Sequence, residues 1–216
     1  MRSESDIKRD VEAELRWSPE IDDTDIAVKV NGREVSLSGF AKTFWEKWKA
    51  ESVVRAVKGV AAVANDIVVK PSAAGPTDPE IARSAITALQ SELPYSAEKI
   101  RALVNEGRVA LEGTVEWYFQ REKAEDIVRR LPGVLSIRNS IRIQPSLAAE
   151  NIKHRIEDAF RRIAQVDADH IVVDTSGSDV TLRGEVRSWA ERDQAHRTAW
   201  SAPGVTNVKN ELTVRS

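Results

Sequence analysis

The sequence predicts an α+β protein in which one α-β-β-α-β unit is written three times. Three observations predict it. Gly39, Gly113 and Gly184 each close an alternating run, in Val35-Ser36-Leu37-Ser38-Gly39, Val109-Ala110-Leu111-Glu112-Gly113 and Val180-Thr181-Leu182-Arg183-Gly184. Twenty residues after each comes a Gly-Val pair (Gly59, Gly133, Gly204), and six residues further an asparagine (Asn65, Asn139, Asn210). Thirty-two residues before each first glycine stands an isoleucine: Ile7, Ile81 and Ile152. The offsets between copies are 74 and 71 at every landmark, so the unit carries no internal insertion.

Each unit opens with a helix. Ile7, Val11 and Leu15 recur every fourth residue, as do Ile81, Ala85 and Leu89, and Ile152, Ile156 and Phe160. That spacing draws one apolar stripe along a helix. Asp78, followed by Pro79, is the expected N-cap of the second copy. Next comes a hairpin with one buried face. Ile26, Val28 and Val30 alternate with polar residues, Asn31-Gly32 turns the chain, and Val35 and Leu37 resume the alternation. The second copy repeats this with Ile100, Ala102 and Val104 around Glu106-Gly107, the third with Ile171 and Val173 around Ser176-Gly177-Ser178.

A second helix follows. Thr43 with Glu46, and Ser188 with Glu191, have capping-box spacing. Ala50, Val54 and Val57 form its core stripe, matched by Ala124, Val128 and Leu131 and by Ala195, Ala199 and Ala202. Gly59, Gly133 and Gly204 end it, where the chain must turn through positive φ. A last strand carries Val63, Ile67 and Val69, then Ile137, Ile141 and Ile143, then Val208, Leu212 and Val214. Each unit is thus expected to be a three-stranded mixed sheet with both helices on one face. A right-handed crossover makes its second and third strands parallel. The expected domains are residues 1–72, 78–145 and 148–216, joined by Pro71–Thr77 and by the shorter Pro145–Ala148. Each is near the lower limit for a self-sufficient core, so contact between units is expected to matter.

Composition narrows the function. Acids and bases mix along every repeat for a net charge of -2, with no basic patch of the kind that binds nucleic acid. No stretch approaches the ~18 apolar residues of a membrane span. The first residues, Met1 to Asp6, carry no apolar signal-peptide core, so the expected location is cytoplasmic rather than periplasmic. There is no Cys, no Gly-rich phosphate loop, no Gly-x-Ser-x-Gly and no His beside a nucleophile. No catalytic residue, metal ligand or cofactor is assigned. His154, His170 and His196 are scattered and read as solvated surface residues. Asp22, Asp23 and Asp25, echoed by Asp167 and Asp169, suit loop and cap chemistry as well as a hard cation.

The Val-x-Leu-x-Gly strands, the Gly-Val-x-x-Val/Ile-x-Asn segments and the run from Val186 to Arg192 resemble the BON domain family over essentially the whole chain. The family is named for bacterial osmotic-induction and nodulation proteins, and this chain is similar to its triple-BON, leaderless members. The resemblance implies the αββαβ fold and a non-enzymatic role. It implies osmotic or envelope stress adaptation, contact with anionic phospholipid or protein partners and, in one cytoplasmic relative, potassium binding. That relative pairs its BON domain with a LysM domain, which this chain lacks.

Tryptophan is the one unusual enrichment, with six copies, five of them at or within a second helix. At ~100° per residue, Trp189 and Trp200 share a face roughly 140° from the core stripe. Phe44, Trp48 and Tyr118 fall on the corresponding side of their own helices. Trp117 occupies the position of the capping residues Thr43 and Ser188, leaving that cap missing unless Glu116 supplies it. Two readings of these six aromatics stand: packing against a first helix or a neighbouring unit, or a surface for lipid or protein. Two functions follow. One is a stress-adaptation scaffold docking through aromatic helices. The alternative is a sensor in which a small ion such as potassium, or another ligand, orders the three units.

Overall fold

The computed structural model describes residues 2–70, 75–145, 151–163 and 166–215. The greater part of both expected linkers, residues 71–74 and 146–148, lies outside the described residues. The first repeat runs α1 (Glu4–Trp17), β1 (Ile26–Asn31), β2 (Glu34–Ala41), α2 (Phe44–Ala56) and β3 (Ala62–Val69). The second runs α3 (Asp78–Glu92), β4 (Ile100–Asn105), β5 (Arg108–Val115), α4 (Tyr118–Arg129) and β6 (Ser136–Ile143). The third runs α5 (Ile152–Arg162), β7 (Ile171–Ser176), β8 (Asp179–Val186), α6 (Trp189–Trp200) and β9 (Asn207–Val214). A single 3₁₀ turn precedes each hairpin.

The strand orders are β1-β2-β3, β4-β5-β6 and β7-β8-β9. In the first sheet β1 and β2 pair antiparallel with Val28 opposite Leu37, and β2 and β3 pair parallel with Leu37 opposite Asn65. The third sheet repeats this, with Val173 opposite Leu182 and Leu182 opposite Asn210. The fold is therefore α+β with mixed sheets. Because a strand alternates faces, Val35, Leu37 and Ala41 all point to one side. They are buried there with Ile7, Val11 and Leu15 of α1 and Ala50 and Val54 of α2. Ile156, Phe160, Ala195 and Ala199 are the buried helix residues at the matching places of the third repeat.

The chain divides into two compact units, and the division runs through the middle repeat. One comprises Met1–Glu92, Ala102–Ala110 and Asp126–Arg138; the other comprises Leu93–Arg101, Leu111–Glu125 and Asn139–Ser216.

All six repeat-marking glycines have positive φ: +118°, +136° and +126° at Gly39, Gly113 and Gly184, and +103°, +83° and +89° at Gly59, Gly133 and Gly204. Close approach adds to the dihedral at Gly39. A β-carbon there would lie 1.9 Å from the Asp25 carbonyl oxygen, so only Gly lets the end of the hairpin close. At Gly133 a β-carbon would meet Pro76 at 2.6 Å and Ile81 at 2.9 Å.

One expected cap is corrected. Thr77, not Asp78, precedes the helix, and the Glu80 carboxylate accepts the Thr77 N–H at 2.8 Å. The Asp78 carboxylate instead accepts the N–H groups of Glu106 (2.7 Å) and Gly107 (2.9 Å), tying the helix start to the hairpin turn. Glu4 does the same in the first repeat, accepting the Gly32 N–H at 2.6 Å.

Candidate functional site

The second helices carry most of the aromatics, and a buried polar clasp sets where each begins. Glu46 is 6% exposed, and its carboxylate accepts N–H from both Asp22 and Lys42 at 2.7 Å. Thr43 Oγ1 accepts the Glu46 N–H at 3.1 Å. Glu191 repeats this with Asp167, Arg187 and Ser188. Burial opposes ionisation of Glu191, but those N–H donors and the Arg187 guanidinium outweigh it and hold the carboxyl below its usual range. In the middle repeat Gln120 takes the same position. Its Oε1 accepts N–H from Glu116 (3.1 Å) and Trp117 (2.9 Å), and its Nε2 donates to Ser96 Oγ at 2.7 Å. Gln120 thus supplies the reciprocal half of the box, while its own N–H, which a capping hydroxyl accepts in the other repeats, goes to the Trp117 carbonyl at 3.1 Å. The sequence spacing exposed the capping box. It did not reveal that the same side chain also holds a loop 24 residues earlier.

The asparagines lock the other edge of the helix. Asn65 Nδ2 donates to the Lys47 carbonyl and the Glu51 carboxylate, both at 3.1 Å, while its Oδ1 accepts the Ile67 N–H. Asn139 repeats all three bonds.

Of the six candidate aromatics, Trp48 meets the end of α4, and Tyr118 and Trp200 meet each other. Trp48 of α2 stacks on Trp45 at 5.1 Å, and the Arg129 guanidinium from the end of α4 lies 4.1 Å from the Trp48 ring centre. Arg130 lies 4.5 Å from the Trp45 ring. Both distances are within cation–π reach. Arg129 is 7% exposed and also pairs with Asp126 at 2.5 Å. In the other compact unit Tyr118 of α4 lies flat on Trp200 of α6, with ring centres 4.4 Å apart and planes 7° from parallel. Trp200 is 6% exposed. The Tyr118 hydroxyl donates to Glu122 at 2.7 Å, and burial first, then that carboxylate, pushes its pKa up. Phe44 and Trp189 are half-buried, and Arg192 lies 5.2 Å from the Trp189 ring. Trp189 and Trp200 share a helix but not an environment.

Trp117 is different. It is exposed, as is its neighbour Phe119, at 41% and 63%. Tyr95, adjacent to Ser96, is 95% exposed. The Ser96–Gln120 hydrogen bond ties the residue after Tyr95 to the first turn of α4, the turn that carries Phe119 and follows Trp117. The other repeats hold core residues Ile21 and Val166 at the Tyr95 position. In the middle repeat Leu93 and Ala97 are buried instead, leaving the tyrosine outside. Aligning the three copies exposes this swap, the signal by which Tyr95 could have been found.

The histidines and acids divide by environment. His154 and His170 are exposed and face Asp158 and Asp167. His196 is not a solvated surface residue: it sits edge-on to both Tyr118 and Trp200, and burial lowers its pKa. Asp22 pairs with Lys42 at 2.6 Å and accepts the Thr24 N–H, which hold its pKa at about 2. Among the described residues no three His, Cys, Asp or Glu side chains gather as a metal site.

Comparison with known proteins fits this architecture. The BON domain family pattern matches residues 3–71, 77–145 and 148–216. The chain belongs to the BON domain family. Each of the three matched BON repeats holds one three-stranded sheet. The osmotically-inducible protein Y of Escherichia coli (strain K12) is 28% identical over 144 residues, which are 64% of this chain and 72% of that protein. Among solved structures, the C-terminal domain of CdsD, a structural protein of the type III secretion system of Chlamydia trachomatis, aligns over 100% of both chains at 12% identity with a TM-score of 0.27. The periplasmic domain of the type III secretion inner-membrane protein PrgH of S. typhimurium aligns over 88% of this chain and 99% of its own at 11% identity with a TM-score of 0.24. Scores this low carry no argument about fold or function. Among the described residues no helix is long and apolar enough to cross a membrane.

Proposed function

We propose that this BON protein is a non-catalytic binding protein of osmotic-stress adaptation that docks on membrane phospholipid through the middle repeat. Tyr95, Trp117 and Phe119 carry the reading. In this reading the three exposed rings make one aromatic end, with the Ser96–Gln120 bond tying the Tyr95 loop to the first turn of α4. Aromatic rings of this kind favour a boundary with one apolar and one wet side. The named relative, an osmotically-inducible protein, supports the stress context. A non-catalytic role is supported by what the buried carboxylates do. Glu46 and Glu191 accept backbone N–H groups, which makes them parts of the scaffold.

Co-sedimentation with phosphatidylglycerol-containing vesicles tests the reading. The wild-type protein is expected to pellet with vesicles, and the W117S/F119S double variant to stay in the supernatant with an unchanged melting curve. Equal pelleting of the two would remove the aromatic end from the mechanism.

A further inference from the structure

A cleft of 640 Å³ opens between α5 and α6, within the second of the two compact units. That volume suits a small ligand. Arg155 and Arg162 line it from α5 and Arg197 from α6, against a single carboxylate, Asp158. Asp158 is already engaged, with Arg161 at 3.0 Å and His154 at 3.2 Å. The other acid of α5, Glu157, faces Lys153. Among the described residues Arg155 and Arg162 hold no ion pair, and Arg197 donates to the neutral amide oxygen of Gln194 at 3.1 Å. The cleft therefore carries uncompensated positive charge.

The repeat does not require this lining. At the offsets of 71 and 74 residues, Arg155, Arg162 and Arg197 align with Ser84, Ser91 and Asp126 of the middle repeat and with Asp10, Trp17 and Ser52 of the first. Ala202 stands where those repeats hold Leu131 and Val57, and its smaller side chain leaves room in the cleft. Thr198 stands where they hold Ile127 and Val53, which puts a hydroxyl in the cleft wall. The same fold is thus built twice without these guanidiniums and with more bulk between the helices.

We propose that the cleft between α5 and α6 binds a small soluble polyanion of the oligophosphate class. Guanidinium forks match phosphate oxygens in pairs. Arg155 and Arg162 are seven residues apart, about 10 Å along the helix, which is further than one phosphate group spans. A ligand that meets both therefore carries linked phosphates. The surroundings favour a soluble ligand over a lipid headgroup. Among the described residues no large exposed hydrophobic side chain lies on α5 or α6, so neither helix offers an anchor for acyl chains. The cleft uses none of the residues of the aromatic end.

Calorimetric titration of the full chain with inorganic tripolyphosphate, up to about 1 mM, tests the proposal. The wild type is expected to bind one tripolyphosphate per chain, more tightly than orthophosphate. R155Q and R162Q should each weaken binding ~10-fold or more. A202L keeps every charge but restores the bulk of the middle repeat, and should weaken binding as well. R83Q, the same loss of charge on α3, should bind like the wild type. Melting curves establish that the variants are folded. A wild type that binds no tripolyphosphate, or binds orthophosphate equally well, overturns the proposal even if a variant misfolds. So does wild-type affinity in R155Q and R162Q or in A202L, or an equal loss in R83Q. Phosphatidylglycerol vesicles should pellet R155Q/R162Q and the wild type to the same extent. Weaker pelleting of that variant would assign the guanidiniums to a lipid headgroup and overturn the soluble ligand.

Discussion

The Trp200 indole donates its Nε1–H to His196 Nε2 at 3.1 Å, one helical turn back, while its ring lies flat on Tyr118. The acceptor nitrogen must be unprotonated, so this contact requires neutral His196. Burial, with Arg192, Arg197 and Arg121 nearby, lowers its pKa below the ordinary 6.5, against the opposing pull of Asp193. The folded state then binds its proton less readily than the unfolded chain. This contribution to stability is fully present above ~6.5 and is lost as pH falls through that value toward the lower folded pKa. Thermal melts should show a decline over this window in the wild type and a flatter profile in His196→Gln. Parallel profiles would place the titration elsewhere.

Trp200 covers Tyr118 from a neighbouring repeat while being nearly fully buried. Trp200→Ala is expected to destabilise the protein by ~3 kcal/mol or more, as for other buried aromatics. A double-mutant cycle with Tyr118→Ala should give a coupling of about 0.5–1.5 kcal/mol for the stacked pair. Urea denaturation measures both, and strict additivity would mean that the rings do not interact.

Two glycines with positive φ should respond differently to the same change. Gly32 has φ +61° with nothing within 4 Å of an added β-carbon, so Gly32→Ala should cost only the left-handed penalty of roughly 1–2 kcal/mol. At Gly39 the same methyl would lie 1.9 Å from the Asp25 carbonyl oxygen, so the strand pairing itself must shift. Gly39→Ala should lower the melting temperature much more than Gly32→Ala. Similar losses at the two sites would contradict the close approach.

The same steric argument applies to the turn after α4. Gly133→Val adds a branched side chain at φ +83°, against Pro76 and Ile81. A sharp fall in melting temperature is expected, and an unchanged curve would show that the chain does not turn there in solution.

The clasp predicts a graded series. Glu46→Ala leaves the Asp22 and Lys42 N–H groups without their acceptor, at a cost of ~1–3 kcal/mol each if water does not replace it. Glu46→Gln should cost less, because Gln120 already fills this position in the middle repeat. Amide exchange at Asp22 and Lys42 reads the effect directly: fast in the alanine variant, intermediate in the glutamine variant. Protection retained in Glu46→Ala would remove the clasp from the account.

How far the sequence reaches can be argued from the same residues. Period and spacing determined the repeat, the order of its elements, the mixed sheet and the buried stripes. Those depend on relations within about 70 residues that recur three times, so one local pattern confirms another. The six glycines were legible because each marks a backbone conformation that other residues rarely adopt. Tertiary structure decided the fate of the aromatics. A helical position states which side of a helix Trp48, Trp189 or Trp200 occupies, but not what lies opposite. Trp200 is covered by Tyr118, Trp48 by Arg129, and Trp117 remains exposed, although all three lie in or beside the same kind of helix. The neutral His196 edge-on to the indole and the second grip of Glu46 on the Asp22 loop were likewise set by folding. They join residues through space rather than along a period, and no spacing rule encodes such a partner.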